Sequence, residues 1–156
     1  LAPRHGGAAR VTALPDEVAR ALAAFDAGRA MLRDGATAAP LGGGLVNRAW
    51  RVTSAAADWV VRLDGARGAA VAPDRQAELL ALRAAAAHGL APRCVHADAT
   101  HGVLVLEHVA GTVWSRATAR SAEGIDRIGA VFRELHSLAA PAGLPAVDAR
   151  ESIRRY

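Results

Sequence analysis

Lysine is missing altogether from the 156 residues, and the 19 basic side chains are all arginine. Chemistry that needs an amine is thereby excluded, including Schiff-base formation and the phosphate-binding lysine of a G-K-[ST] loop. Cysteine occurs once, at Cys94, so no intramolecular disulfide can form and no zinc site can be built from paired thiolates. Long hydrophobic runs are absent too. No stretch approaches the roughly 18 uncharged apolar residues of a membrane-spanning helix, and Asp16 and Glu17 fall where a secretory leader would be apolar. Together these absences predict a cytoplasmic chain with no membrane partner.

What is present reads as a globular protein. Hydrophobic residues reach 52% and charged residues 22%, which excludes disorder over most of the length. The length suits one domain, or a small domain and the start of another, but not two full cores. A net charge of +4 and a pI near 10.8 suggest nucleic acid at first sight. The arginines, however, are spread from Arg4 to Arg155 with no run longer than Arg154-Arg155, so no basic face for nucleic acid is predicted.

Periodicity orders the elements. After a Pro- and Gly-containing tail, Val18, Leu22, Phe25 and Leu32 recur at helical spacing behind Pro15, predicting one helix over 15–33 that stops at Asp34-Gly35. VNRAWRVT (46–53) and DWVVRLD (58–64) read as antiparallel strands joined by a short hairpin. A helix follows from Pro73-Asp74 to Gly89, then strands at 93–98 and 102–108, and then an amphipathic helix over 121–138. Its apolar positions are Ile125, Ile128, Phe132, Leu135 and Leu138, and a short terminal helix near 149–156 completes the order. Trp50 and Trp59 fall on paired strands and are assigned to cross-strand packing rather than to base stacking. His96, His101 and His108 lie on one hairpin but lack the ligand pattern of a metal site.

Gly42-Gly43-Gly44 is the candidate ligand turn, because glycine tolerates positive φ and lets a phosphate approach the backbone N–H groups. A dinucleotide fingerprint would precede a helix, whereas this turn precedes a strand. A glycine-rich lid between antiparallel strands, then a cation on the next strand and a Glu on the next helix, is the order used by kinases. Here the cation is Arg62, in VVRLD, and the acid is Glu78.

LGGGLVNRAWRV, WVVRLDG, DRQAELLALRAAAAHGLAP, GVLVLEHVAG and IGAVFRELHSL, in this order over residues 38–140, resemble the amino-terminal half of the choline kinase, thiamine kinase and aminoglycoside phosphotransferase family. The resemblance implies an α+β kinase-like small lobe, with a sheet of about five antiparallel strands and one packed helix, followed by the first helices of an incomplete helical lobe. The corresponding division is 1–37 as tail and helix, 38–110 as the small lobe, and 111–156 as linker and start of the helical lobe. It implies ATP and Mg²⁺ as cofactors, and phosphoryl transfer to a hydroxyl of a small molecule. Matched by motif, Gly42, Gly43, Gly44 and Asn47 form the phosphate-covering loop, Arg62 is the strand cation and Glu78 its partner. Glu107, His108 and Val109 match the hinge, whose backbone would meet adenine.

The family's H-x-D-x-x-x-x-N segment, source of the base and a metal ligand, has no counterpart in these 156 residues, since His136-Ser137-Leu138 and Asp148 have the wrong spacing. His136 reads as a structural helix residue. The chain therefore resembles the front portion of a phosphotransferase, with no catalytic residue of its own, or a non-catalytic module that binds nucleotide or a partner. An unfilled helical lobe also predicts self-association through the apolar face of the 121–138 helix. The isolated chain is predicted not to phosphorylate choline or any other small alcohol in the presence of Mg-ATP. Transfer of labelled γ-phosphate to such an alcohol by this chain alone contradicts that expectation.

Overall fold

The computed structural model of the chain describes residues 13–42, 47–65 and 74–146. The terminal helix predicted near 149–156 lies outside the described residues. Contacts divide the chain into two compact units, the first formed by 1–72 with 92–110 and the second by 73–91 with 111–156.

In the first unit Pro15 takes the N-cap position of helix α1 (Asp16–Ala23), and Asp16 and Glu17 occupy the first turn, where the helix dipole favours negative charge. The single helix expected over 15–33 is in fact two. Phe25 is extended, with φ −139° and ψ 158°, and α2 (Asp26–Arg33) starts behind it. The break has a steric signature at Gly28, where an added Cβ would lie 2.1 Å from Leu22 O and 2.7 Å from the Phe25 ring. Only glycine fits that corner. Arg29 fastens it by donating to Ala23 O at 2.8 Å, which satisfies a carbonyl left over at the end of α1.

Five antiparallel strands follow in the first unit: β1 (Thr37–Leu41), β2 (Asn47–Thr53), β3 (Asp58–Asp64), β4 (Cys94–Asp98) and β5 (Val103–Glu107). Their order across the sheet is β1-β2-β3-β5-β4. Pro40 is tolerated because β1 is an edge strand, where a missing N–H costs no central ladder bond. The hairpin aligns Thr53 with Asp58, which sets Trp50 opposite Val61 and Ala49 opposite Arg62.

Strand alternation then sorts the side chains onto two faces. Val52, Val61 and Val105 are fully buried and pack with Val18, Leu22 and Met31 from α1 and α2. Trp50 and Trp59 pack against the same core, and Trp59 lies 6.0 Å from Phe25 between ring centroids. A register shift between Cys94 and His96 turns His96 to this face, where its ring stacks on Phe25 at 4.2 Å and 6°. Asn47, Ala49, Arg62, Asp64 and Leu104 alternate to the opposite face.

This packing differs from the sequence-based division in two respects. The segment before residue 38, set apart there as tail and helix, supplies four core side chains: Val18, Ala21, Leu22 and Met31. Residues 73–91, placed there within the small lobe, cluster with 111–156 instead. The sheet's apolar face is closed by the α1–α2 pair, whereas the helix of 75–87 buries none of its residues. The packed helix of the first unit is therefore this N-terminal pair.

The second unit contains α3 (Arg75–Ala87), α4 (Arg116–Arg120) and α5 (Ala122–Ser137). Asp74 caps α3 by accepting from the amides of Gln76 at 2.9 Å and Ala77 at 3.3 Å, and Gly89, at φ +72°, follows its end. Ser121 caps α5 through the Gly124 amide at 3.0 Å. Apolar side chains of α5 stay open: Ile125 is 58% exposed, Phe132 53% and Leu135 39%.

Truncating a core side chain should therefore cost far more than truncating one on α5. Leu22→Ala is expected to destabilise by about 2–5 kcal/mol, and Ile125→Ala by no more than about 0.5 kcal/mol. Denaturant titration measures both, and equal losses contradict the described core.

Candidate functional site

The polar face of the sheet gathers part of the predicted ligand set. Gly42 follows β1 directly and has open space around its Cα. Asn47 opens β2 and pairs with Asp64, while Arg62, on the same face of β3, lies between Ala49 and Leu104 in register. Gly43 and Gly44 lie outside the described residues. Asn47 Oδ1 is buried without a hydrogen-bond partner among the described residues. A buried amide left this way is costly unless a ligand or loop group completes it. Arg62 presents a permanent, forked cation two residues along the strand from Asp64.

Glu78 stands in the first turn of α3, where its Oε2 lies 2.6 Å from Arg75 Nη1. It belongs to the second unit and Arg62 to the first.

Glu107, His108 and Val109 follow one another at the end of β5. The Glu107 amide donates to Arg93 O at 2.9 Å, and the His108 amide donates to Asp58 O at 3.0 Å. Both of these N–H groups are thus committed inside the protein. Val109 lies beyond the ladder and is 66% exposed. Of these three amides, it is the one with no main-chain acceptor among the described residues.

The side chains here form a charged chain. Arg51 donates to Asp58 through both prongs, Nε to Oδ1 at 2.9 Å and Nη2 to Oδ2 at 2.7 Å. His108 Nδ1 approaches Asp58 Oδ2 at 3.1 Å. The Arg51 fork holds the Asp58 carboxyl below the usual carboxylate range, with His108 adding to the effect and partial burial opposing it. Arg93, 2.5 Å from Glu107 Oε1, likewise lowers the Glu107 carboxyl.

The histidines do not converge. His96 is stacked on Phe25, His101 Nδ1 meets Asp98 Oδ2 at 2.7 Å, and His108 meets Asp58. Among the described residues no three His, Cys, Asp or Glu side chains come together as a metal site. No helix among them is long and apolar enough to cross a membrane. His136 sits on exposed α5, its ring 5.7 Å from Phe132.

A profile of the phosphotransferase enzyme family matches residues 37–155, most of the chain. The chain belongs to this phosphotransferase family. No curated protein matches it. A choline/ethanolamine kinase family protein from Mesorhizobium loti has a similar crystal structure, with a TM-score of 0.62 and 25% sequence identity. The match covers 90% of this chain and 50% of that one, so the chain spans half the length of that relative. The five-stranded sheet with its helices is the α+β, kinase-like arrangement that the sequence implied.

Sequence reasoning missed Asp58 and Arg51, which tie the end of β5 to the β2–β3 hairpin. The available signal was the hairpin register: pairing Thr53 with Asp58 puts Arg51 and Asp58 on one face, a diagonal apart.

Because the Asp58 pKa is lowered in the folded chain, its stabilising contribution is complete above the unfolded carboxyl pKa of about 3.9 and fades as pH falls through the lower folded value. The stability gap between wild type and Asp58→Asn should be constant from pH 7 to 5 and narrow below pH ~4. Denaturation curves at several pH values measure it, and a gap that widens toward acid contradicts the assignment.

Proposed function

We propose that this chain forms the nucleotide-holding part of an ATP-dependent phosphotransferase that acts on a hydroxyl of a small molecule. Carrying the reading is one face of one sheet, where Arg62 shares a surface with Asn47, whose Oδ1 is buried without a partner among the described residues, in the strand that follows Gly42. Phosphoryl transfer relies on positioning and charge stabilisation more than on covalent chemistry by the protein. A forked cation and a row of backbone amides suit that task.

In this reading Gly42, Gly43, Gly44 and Asn47 cover the phosphates and Arg62 holds their oxygens. The adenine edge meets the Glu107 carbonyl and the Val109 amide, with His108 between them. Mg²⁺, when bound, supplies neutralisation of phosphate charge. The described residues offer no cluster of metal-binding side chains, so their part is to hold the nucleotide. The acceptor is a small alcohol such as choline, thiamine or an aminoglycoside, and the choline/ethanolamine kinase relative makes an amino alcohol the first to assay. Cytoplasmic ATP is the donor in this account.

A second reading, a non-catalytic module that binds nucleotide or a partner, draws on the open apolar side chains of α5 and on Trp114, whose ring lies 5.4 Å from the Arg127 guanidinium carbon. Self-association through this surface belongs to the same reading.

Calorimetric titration with Mg-ATP tests the nucleotide site. Arg62→Ala removes a charge-assisted contact worth about 1.5–3 kcal/mol, so the Kd should rise by roughly tenfold to a hundredfold. Equal affinity in wild type and Arg62→Ala contradicts the assigned role.

A further inference from the structure

Glu107 and His108 are each fastened through main chain and side chain to one partner, Glu107 to Arg93 and His108 to Asp58, and the His108 side chain is the more covered of the two. The His108 amide donates to Asp58 O at 3.0 Å and its Nδ1 lies 3.1 Å from Asp58 Oδ2. Asp58 is itself held in place, because Arg51 grips both carboxylate oxygens. A carboxylate only accepts, so the ring nitrogen facing it carries the proton and His108 donates from Nδ1. The ring is four-fifths covered, which shields this hydrogen bond from competing water.

Two peptide planes meet at His108, one carrying the Glu107 carbonyl and the other the Val109 amide. Those two groups would present an acceptor and a donor to a planar base, whereas the Glu107 and His108 amides are already used. Anchoring the His108 ring limits rotation of both planes. The chain's next residues, Val109 and Ala110, are exposed, and no main-chain hydrogen bond among the described residues ties them to the sheet. The constraint on the Val109 amide thus comes from the residue before it.

We propose that His108 is a positioning residue of the hinge: held by Asp58, which Arg51 fixes in turn, its ring sets the directions of the Glu107 carbonyl and the Val109 amide toward a nucleobase. The inference rests on the hinge role given above for residues 107–109. It adds that base recognition depends on an imidazole that never touches the base. Such a device trims the ordering cost of binding, because the donor and acceptor are aligned beforehand.

The test uses the full chain and three variants: His108→Ala, His108→Asn and Asp58→Asn. Asparagine places an amide N–H close to where histidine has Nδ1–H, so it keeps the hydrogen bond to Asp58 without the ring. Two readouts are taken, affinity by calorimetry for Mg-ATP and for magnesium tripolyphosphate, and backbone hydrogen exchange at residues 107–109.

His108→Ala should weaken Mg-ATP about five- to tenfold, leave tripolyphosphate affinity within twofold, and speed exchange of the hydrogen-bonded 107 and 108 amides about tenfold, as expected for one lost hydrogen bond. Asp58→Asn should reproduce these changes. His108→Asn should return all of them to within twofold of wild type. Unchanged exchange in His108→Ala overturns the proposal, as does an equal loss of ATP and tripolyphosphate, which marks a general structural role. If wild type binds tripolyphosphate but discriminates nothing in favour of ATP, the hinge role fails. The exchange data still decide whether His108 orders the 107–109 backbone.

Discussion

The closing of one face of the β-sheet by α1 and α2 is the constraint on which the first unit depends. Val52, Val61 and Val105, one from each of three adjacent strands, meet Val18, Leu22 and Met31, and these six side chains are closed to water. Because side chains alternate along a strand, fixing the valines on one face fixes Asn47, Arg62 and Asp64 on the other. A slip of one residue would bury the Arg62 guanidinium among α1 and α2 without a partner, at a cost no local contact could offset. The position of the cation is thus a consequence of hydrophobic packing on the reverse side of the sheet.

The same alternation explains how the hinge end is organised. Asp58 begins β3 and falls on the polar face, within reach of Arg51 from β2 and of His108 past the end of β5. Three consecutive strands in the order β2-β3-β5 are linked there by one carboxylate. Exposed ion pairs contribute little to stability on average. A forked arginine with a shielded imidazole is more restrictive in geometry, and its main effect is to limit where the chain leaves the sheet.

Much of this fold was legible in the sequence. The strands at 47–53 and 58–64, and the helices at 75–87 and 122–137, lie within a residue or two of the periodic patterns that predicted them. Those segments are strongly periodic and bounded by clear turn residues. The helix break at Ala24 and Phe25 was not legible, because Gly28 reads as a weak helix residue until the contact with Leu22 O is known. Nor does periodicity reveal that the N-terminal helices close the sheet, since an amphipathic helix shows its apolar face but not what covers it. For the candidate site, chain order proposed Gly42, Asn47, Arg62 and residues 107–109, and it is the strand register that puts Asn47 and Arg62 on one face. The Arg51–Asp58–His108 linkage depends on three strands meeting, and spacing in one dimension does not display that.

Chemical-shift mapping of the ¹⁵N-labelled chain on addition of Mg-ATP tests the central claim most directly. The account predicts that perturbations gather on the polar face and its ends, at Gly42, Asn47, Ala49, Arg62, Leu104 and Val109, while Leu22, Val52 and His96 on the packed face stay unchanged. Perturbations centred on α1, α2 and the packed face, or none anywhere at saturating nucleotide, would contradict it.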